Sequence, residues 1–332
     1  PTGVRLRAGF GMKVYHSLAE RSKTPAAVTM GSFDGVHRGH RVLIERTVAA
    51  ARKKNLSSLL LTYEPHPRMI LGDPATVRLL TVLPEKLFLF EKFGLEETLV
   101  YPFDRTVAGM EPEEYVERIL ADGLGTRHLV VGYDHRFGKA RRGNVTLLEK
   151  LAAKHSFELE VLEPVRKSSE PVKSSAVREH LSKGRFEEAM ELLGHPFPIY
   201  GSKAKGHGRG RKLGYPTFNL SVLPYKLLPA PGIYAARAAD GTRFLDGMLY
   251  IGISPTFGEG SQSVEINILD REIELGSEIL VLAERFIRPD EKFGSAEELT
   301  AQMKTDEKNI RQHFAAQGKV AAAGRKGGEV WP

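Results

Sequence analysis

The sequence predicts two domains, an α/β domain with a doubly wound, mostly parallel sheet and then an all-β sandwich or barrel with a terminal helix. Strands and helices alternate as far as about residue 195, which is the pattern of crossover connections between parallel strands. From residue 199 onward, short alternating runs are separated by turn residues at about the 8 to 12 residue spacing of all-β domains. A chain of 332 residues is also long for a single core.

The elements follow this division in order. The α/β domain is placed at residues 12–195, the all-β domain at 196–314, and flexible tails at 1–11 and 315–332. Residues 26–53 are predicted to form a strand, a glycine-bearing turn and a basic amphipathic helix. The later predicted strands cover residues 56–63, 96–101, 129–131, 157–162, 232–238, 249–253, 264–270 and 279–286. The later predicted helices cover residues 84–93, 111–120, 147–155, 175–183, 185–193 and 295–314.

The composition is that of a globular protein that binds anions. A hydrophobic fraction of 41% with 27% charged residues is ordinary for a folded chain. The net charge of +7 is spread along the sequence, which favours small phosphorylated ligands over nucleic acid. The chain has 0 cysteines, which excludes disulfides and fits the predicted cytoplasmic location. No apolar run is long enough to span a bilayer, so no membrane partner is expected.

Two histidines lie where a glycine-bearing turn enters the first helix. His37 and His40 are three residues apart and would share one helical face. Backbone N–H groups near Gly39 have no intrahelical partner at a helix start, so they can receive a phosphate. Gly31 and Gly39 permit a close approach to a ligand. A metal pair, or a pair without function, are the alternatives; a metal is disfavoured because no cysteine or suitably spaced carboxylate accompanies the histidines.

Two later loops of the α/β domain follow predicted strands. Pro65 and Pro67 stiffen the first loop, and Asp134 and Phe137 lie in the second beside a basic cluster. Both loops fall at the carboxyl ends of strands, the edge at which open α/β sheets bind ligands. A structural turn and a solvated basic loop are the alternatives.

A serine and an arginine mark the start of the helix at residues 175–183. Ser174 or Ser175 can cap this helix, and Arg178, one turn later, points back toward the same end. A capping serine beside an exposed arginine is the structural alternative.

The all-β domain contains a glycine-rich basic loop. Gly206, Gly208 and Gly210 are interleaved with Arg209, and Lys212 follows, which is suited to folding over phosphates. The loop does not match the P-loop pattern, and a flexible basic linker has a similar composition.

Three polar residues of the all-β domain are candidates for phosphate chemistry. Thr217 and Asn219 lie two apart, so an extended segment puts both on one face, where their oxygens suit Mg²⁺ bound to a triphosphate. Glu265 lies on the polar face of another predicted strand, for which a solvated surface is the alternative.

Taken together, these stretches resemble the bacterial bifunctional riboflavin kinase/FAD synthetase family from about residue 12 to residue 314. The resemblance implies a Rossmann-like nucleotidyltransferase domain and a C-terminal antiparallel β-barrel with a terminal helix. It also implies phosphorylation of riboflavin by ATP to FMN, followed by adenylation of FMN by ATP to FAD and pyrophosphate. The motifs occur in this order: GSFDGVHRGH, YEPHPR, PFDRTVAGMEPEEYVERIL, VVGYDHRFGKARRGN, SSAVREHL, ELLGHPF, GRKLGYPTFN, LLPAPGIY, IGISPTF, VEINILD and FIRPDEKF.

For the α/β domain, the resemblance implies an adenylyl-transfer site. His37 and His40 would donate to the α-phosphate of ATP, and Ser175 and Arg178 would hold the leaving pyrophosphate. The other residues implied to bind the nucleotide are Gly31, Phe33, Asp34, Gly39 and Asp134, and those implied to bind the flavin are Pro65, His66, Pro67 and Phe137.

For the barrel, the resemblance implies a kinase site. Thr217 and Asn219 would hold Mg²⁺ with ATP, and Glu265 would accept the proton of the ribityl 5′-hydroxyl. The expected partners are therefore riboflavin, FMN, FAD and ATP, without nucleic acid, and the expected cofactor is Mg²⁺. The ATP phosphates would contact Gly206, Gly208, Arg209, Gly210 and Lys212.

Five residues depart from the family pattern. Lys173, His135, Phe218, Asn267 and Leu275 stand where serine, phenylalanine, alanine, histidine and tyrosine are usual. None of these departures removes a group with an implied catalytic role. Two alternative functions stay open: an adenylyltransferase with an inactive kinase domain, and a nucleic-acid or flavin-responsive binding protein.

Overall fold

The computed structural model describes residues 11–167, 170–205, 210, 213–240, 243–253, 262–269 and 275–322. The contacts between residues divide the chain into two compact units. The first, called the α/β unit, consists of residues 10–79 together with residues 86–173. The second, called the barrel unit, consists of residues 80–85 and the residues from 174 onward. The domain boundary between residues 195 and 196 stays a prediction.

The described part of the α/β unit contains a parallel sheet of six strands. Its strands are β1 (Lys13–Tyr15), β2 (Ala26–Met30), β3 (Ser57–Glu64), β4 (Glu97–Pro102), β5 (Thr126–Gly132) and β6 (Glu158–Leu162). Their order is β1-β4-β3-β2-β5-β6, and all five pairings are parallel. The order reverses between β2 and β5, which makes their carboxyl ends the expected ligand-binding crevice. The predicted doubly wound class is confirmed.

The core of the α/β unit is built around β2. All five of its residues are buried, as a central parallel strand with both faces covered requires. Val28, Leu61 and Leu129 come from neighbouring strands and pack in one cluster with Leu120 and Leu148. The helices of this part of the chain are α1 (Arg38–Lys54), α2 (Pro67–Leu71), α3 (Leu83–Lys92), α4 (Arg105–Gly109), α5 (Pro112–Tyr115) and α6 (Val145–His155).

Local sequence sets both ends of α1. The His37 side chain caps the first turn by accepting a hydrogen bond from the backbone of His40. At the other end, Asn55 adopts the left-handed conformation with φ of 53°, which ends the helix. Three basic residues in the last turn complement the negative end of the helix dipole.

The helix predicted at residues 111–120 differs in form. It begins as α5 and continues in the π-helical segment Val116–Gly123. The backbone N–H of Leu124 donates to the carbonyl of Ile119, five residues earlier, as this wider winding requires. The spacing of apolar residues in this stretch does not distinguish an α-helix from a π-helix.

The described part of the barrel unit contains a closed antiparallel barrel of six strands. It is preceded by a short hairpin in the α/β unit, β7 (Arg166–Lys167) and β8 (Glu170–Pro171), and by α7 (Ser174–Ser182) and α8 (Phe186–Leu193). The closed order is β10-β13-β12-β11-β14-β9, which decides between the predicted sandwich and barrel. The strands are β9 (Phe197–Ala204), β10 (Thr217–Val222), β11 (Gly232–Asp240), β12 (Arg243–Ile253), β13 (Gln262–Ile268) and β14 (Glu278–Pro289).

The terminal helix α9 (Ala296–Ala322) packs on the barrel. Ile310 and Phe314 are buried in a cluster with Ile233, Ala235 and Met248 from β11 and β12. The flexible tail predicted from residue 315 stays a prediction, although the helix continues past residue 314. Its alanine-rich sequence has high helix propensity, although its apolar periodicity ends near Phe314.

Candidate active sites

The turn after β2 has an unusual backbone. Phe33 and Val36 have φ angles of 48° and 42°, a left-handed conformation that is unfavourable for aromatic and β-branched residues. The turn leads into His37, whose extended backbone precedes the first turn of α1. This path places the His37 ring at the start of the helix, where backbone N–H groups can receive an anion.

His37 and His40 contact each other directly. Nδ1 of His37 accepts a hydrogen bond of 3.4 Å from the backbone N–H of His40. The two rings stack with their centroids 3.8 Å apart and 14° between their planes. Because Nδ1 of His37 is an acceptor, the proton of its neutral ring lies on Nε2, which becomes a hydrogen-bond donor.

His40 is uncharged at neutral pH. Burial holds the pKa of His40 well below its ordinary value, and repulsion from a protonated His37 and from the Lys86 ammonium lowers it further. Its Nδ1 is buried and has no hydrogen-bond partner within the described part of the chain. The Phe33 ring packs against the His40 ring, with the ring centroids 5.0 Å apart.

Among the described residues no group of three or more His, Asp or Glu could hold a metal ion.

The position of the His37 ring explains why the H-x-G-H motif has glycine at residue 39. A Cβ atom at this position would lie 3.2 Å from both Cε1 and Nδ1 of His37, closer than ordinary van der Waals contact. Any larger residue would therefore press on the His37 ring. The predicted close approach of Gly39 to a ligand stays a prediction.

A buried lysine, which the sequence analysis missed, contacts the same turn. Lys86 is only 1% exposed, and its Nζ donates to the carbonyl of Ser32 at 3.3 Å. Burial raises the pKa of Glu64, at the end of β3, and the Lys86 ammonium partly offsets this effect. The available signal was a charged pair, Glu85 and Lys86, inside an otherwise apolar helical sequence.

A cavity of about 590 Å³ lies at the carboxyl edge of the parallel sheet. Its lining comes from segments that follow β2, β3, β4 and β5, as expected for an open α/β sheet. Gly31, His66, Pro67 and Phe137 all line this cavity. The lining of this cavity therefore includes one residue predicted to bind the nucleotide and three predicted to bind the flavin.

Several other predicted residues do not line this cavity. Pro65 follows a cis peptide bond and is not a lining residue. Asp34 is buried and Asp134 is exposed, and neither lines the cavity. His66 has a structural contact as well, because its Nδ1 accepts from the backbone of Arg68 at 3.1 Å and caps α2.

Two tyrosines add polar atoms to the aromatic wall. The hydroxyls of Tyr63 and Tyr115 are 2.5 Å apart, and both residues line the cavity with Phe103. Burial raises the pKa of Tyr63 to about 12 and that of Tyr115 well above its ordinary value, so both hydroxyls keep their protons. The sequence analysis missed Tyr115 and Phe103 as individual residues, although both belong to one of the quoted motifs.

The barrel brings the predicted kinase residues together. Asn219 on β10 is directly opposite Glu265 on β13. The hydroxyl of Thr217 donates to Oε2 of Glu265 at 2.9 Å. Gly210 lies nearby, and a Cβ there would be 2.2 Å from the carbonyl oxygen of Tyr215, so this approach needs glycine. Gly206, Gly208, Arg209 and Lys212 lie outside the described residues.

The departures within the barrel affect packing. Lys203 places its ammonium 5.1 Å from the Phe218 ring, and Phe218 alternates with Thr217 along β10, so the two side chains take opposite faces. Asn267 is buried and donates to the carbonyl of Pro216 at 2.8 Å. Leu275 is also buried.

Ser175 and Arg178 lie in the first turns of α7, which belongs to the barrel unit. The helix begins at Ser174, so Ser175 is its second residue.

No helix in the described ranges is both long and apolar enough to cross a membrane.

The sheet order and the H-x-G-H turn define the first part of the chain as a nucleotidyltransferase domain, here followed by a β-barrel domain. A family model described as FAD synthetase matches residues 19–176, and one described as riboflavin kinase matches residues 193–314. The chain belongs to the bifunctional riboflavin kinase/FMN adenylyltransferase family.

Relatives match over nearly the full length. The bifunctional riboflavin kinase/FMN adenylyltransferase of Escherichia coli (strain K12) is 34% identical over 301 residues, covering 90% of this chain and 96% of the relative. The Bacillus subtilis (strain 168) protein of the same name is 31% identical over 306 residues, with 90% and 96% covered. A solved structure titled macrolide-efflux protein from Streptococcus pneumoniae superposes with a TM-score of 0.77 at 26% identity, covering 91% of this chain and 99% of that one.

These matches confirm the main functional hypothesis over its alternatives. The chain is a transferase with riboflavin kinase and FMN adenylyltransferase activities. Its substrates are riboflavin, FMN and ATP, and its final product is FAD.

Proposed function

We propose that the α/β unit makes FAD at the histidine turn and the adjoining cavity, and that the barrel unit makes FMN at Thr217, Asn219 and Glu265. The observation that carries this assignment is the 590 Å³ cavity, because it joins Gly31 to the residues predicted to bind flavin. Its volume lies within the range of small-molecule sites, and its walls are mainly aromatic and apolar.

Adenylyl transfer needs no protein nucleophile. A phosphate oxygen of FMN attacks the α-phosphorus of ATP, a new P–O bond forms, and the bond to pyrophosphate breaks. Negative charge builds on the α-phosphate oxygens, where Nε2–H of His37, the His40 ring and the N–H groups of α1 stabilise it. The role of Ser175 and Arg178 in holding the leaving pyrophosphate, which the family resemblance implies, stays a prediction. Phe33, Asp34 and Asp134 complete the nucleotide side in this proposal.

The flavin lies against the aromatic part of the cavity. His66, Pro67 and Phe137 form this wall, and Pro65 stiffens the loop that carries it. Apolar burial of the ring fixes its position while the phosphate reaches the histidine turn. Tyr63 and Tyr115 supply uncharged hydroxyls at neutral pH.

The kinase step uses Glu265 as general base. Its carboxylate accepts the proton of the ribityl 5′-hydroxyl while that oxygen attacks the γ-phosphorus of ATP, and ADP leaves. The hydrogen bond from Thr217 fixes the orientation of the carboxylate before the substrate binds. Gly206, Gly208, Arg209, Gly210 and Lys212 contact the ATP phosphates in this assignment.

The donor set of the barrel site fits Mg²⁺. A hydroxyl and an amide oxygen are hard ligands, and Thr217 and Asn219 provide them on β10, beside the carboxylate of Glu265 on β13. Bound with ATP, the ion neutralises phosphate charge. We infer that both reactions take place in the cytoplasm, where ATP is supplied, and that the chain acts on small molecules without a nucleic-acid partner.

Paired variants test the two assignments. His37→Ala combined with His40→Ala should abolish FAD formation from FMN and spare FMN formation from riboflavin. Glu265→Gln should have the reverse effect. Each variant serves as the folding control for the other, and loss of both activities in either one would count against the assigned roles.

A further inference from the structure

His135 lies in the loop after β5 and lines the 590 Å³ cavity together with Phe137. The two rings are nearly parallel, with 22° between their planes and 6.0 Å between their centroids. The loop is held by a turn in which the backbone N–H of His135 donates to the carbonyl of Gly132 at 3.0 Å. The backbone that carries the imidazole is thus held in place at the cavity wall.

The polar edge of this ring has no partner within the described residues. Nε2 of His135 is buried and makes no hydrogen bond there. Buried polar atoms in native proteins are almost always satisfied, so an unsatisfied one in a cavity wall indicates a ligand atom. An ordinary structural histidine in a wall of this kind would bond to a neighbouring side chain or carbonyl.

The charge state of the ring suits a neutral ligand. Burial lowers the pKa of His135 to about 4; Asp134 acts against this effect and Arg141 adds to it. The ring is therefore neutral at physiological pH, with one nitrogen that donates and one that accepts. It can bind a carbonyl or a ring nitrogen without placing a charge in the cavity.

We propose that His135 is a specificity-determining residue that hydrogen-bonds the polar rim of the flavin ring during FAD synthesis. This inference rests on the proposed function of the cavity. An isoalloxazine ring is planar, with an apolar edge and a rim of carbonyls and ring nitrogens, so it matches a wall that combines aromatic rings with neutral polar groups such as the His135 imidazole. The family resemblance implies phenylalanine at this position, so the histidine is a departure from the family pattern.

Two substitutions separate hydrogen bonding from packing. His135→Phe keeps an aromatic ring and removes the polar atoms, whereas His135→Gln places an amide at about the reach of Nε2 and removes the ring. With Mg²⁺-ATP saturating, we expect His135→Phe to raise the KM for FMN roughly threefold to tenfold with kcat nearly unchanged. We expect His135→Gln to keep a KM near that of the parent chain. The reverse order, or equal KM values in all three proteins, would overturn the proposal.

A matched control is available on α6. Nε2 of His155 is also buried without a partner in the described chain, but His155 does not line the cavity. His155→Phe should leave the KM for FMN unchanged, and an equal rise there would also overturn the proposal. FMN formation from riboflavin by each variant checks that the chain is folded.

A calorimetric titration with FMN in the absence of ATP distinguishes this inference from the proposed function. If the parent chain formed no FAD, the proposed function would fail by itself. The titration would still compare FMN affinities, with any binding in the barrel contributing equally to each protein. Weaker binding by His135→Phe than by the parent and by His135→Gln supports the inference, and equal affinities contradict it.

Discussion

His37 caps the helix that carries His40: its Nδ1 accepts the His40 backbone N–H at 3.4 Å, while the two rings stack 3.8 Å apart. One side chain thus has a structural contact through Nδ1 and a proposed catalytic contact through Nε2. The two contacts use different atoms, so they can be separated by substitution.

His37→Asn should separate capping from catalysis. Asparagine is a good helix cap, so the free energy of unfolding should stay within about 0.5 kcal/mol of the parent value. The Nε2 donor is lost, and the rate of FAD formation should fall about 100-fold to 1000-fold. Urea denaturation and FAD assays measure the two effects.

His37→Ala is the matched comparison. It removes both contacts and should additionally destabilise the chain by about 1 kcal/mol. If asparagine restored the FAD rate along with the stability, the role of Nε2 in catalysis would be wrong.

Gly39→Ala should displace the His37 ring. The added methyl would lie 3.2 Å from two ring atoms, and the ring must move to accommodate it. Catalysis is sensitive to small displacements, so FAD formation should fall about tenfold or more while FMN formation stays unchanged. Gly109→Ala is the control, since a Cβ there has no neighbour within 4 Å. Equal rates for both alanine variants would refute the close-approach explanation.

Thr217→Val should slow the kinase step selectively. Valine has nearly the shape of threonine but cannot donate to Glu265, so the carboxylate loses its fixed orientation and the site loses an oxygen ligand. FMN formation should fall about tenfold to 100-fold, and Thr217→Ser should retain most of the activity. A chromatographic assay with riboflavin measures this, with FAD formation from supplied FMN as the folding control.

Acid should destabilise the chain partly through His135. The pKa of this residue is about 4 when folded, because of burial, and about 6.5 when unfolded. Between these values the unfolded state binds the extra proton, so stability is lost as the pH falls from 6.5 toward 4. Between pH 7 and pH 5, the parent chain should lose up to about 2 kcal/mol more than His135→Phe. Urea unfolding at both pH values measures the difference, and identical losses would show that His135 is not held neutral.

Lys226→Met should strongly destabilise the barrel unit. The Lys226 ammonium donates to Glu85 at 2.7 Å, and both side chains are 0% exposed. Methionine would leave the Glu85 carboxyl buried without its cation, at a cost of about 3 to 5 kcal/mol. The double variant with Glu85→Gln should recover part of this loss. Thermal unfolding measures both, and a double variant less stable than Lys226→Met would contradict the account.

Local patterns were sufficient for the parts of the fold that depend on neighbouring residues. The strand, turn and helix around His37 and His40 follow from apolar runs and from glycine positions. The shared face of Thr217 and Asn219 follows from the twofold period of a strand. The contact of Thr217 with Glu265 does not, because it depends on how β10 pairs with β13, 48 residues apart.

Long-range burial explains most of what the sequence did not predict. Glu85 and Lys226 are 141 residues apart, and each alone resembles an ordinary surface charge. Tyr115 lines the cavity and is the last residue of α5. No residue pattern predicts that the chain continues from there as a π-helix. The sequence identified His135 only as a departure from the family pattern. The structure adds that His135 lines the cavity and that burial lowers its pKa.

The central claim is that one chain carries out both steps of flavin cofactor synthesis in order. A chromatographic time course with riboflavin and Mg²⁺-ATP tests it most directly. The account predicts that FMN accumulates first and that FAD appears later, with one pyrophosphate released for each FAD. Formation of neither product, with the flavin kept either oxidised or reduced, would contradict it.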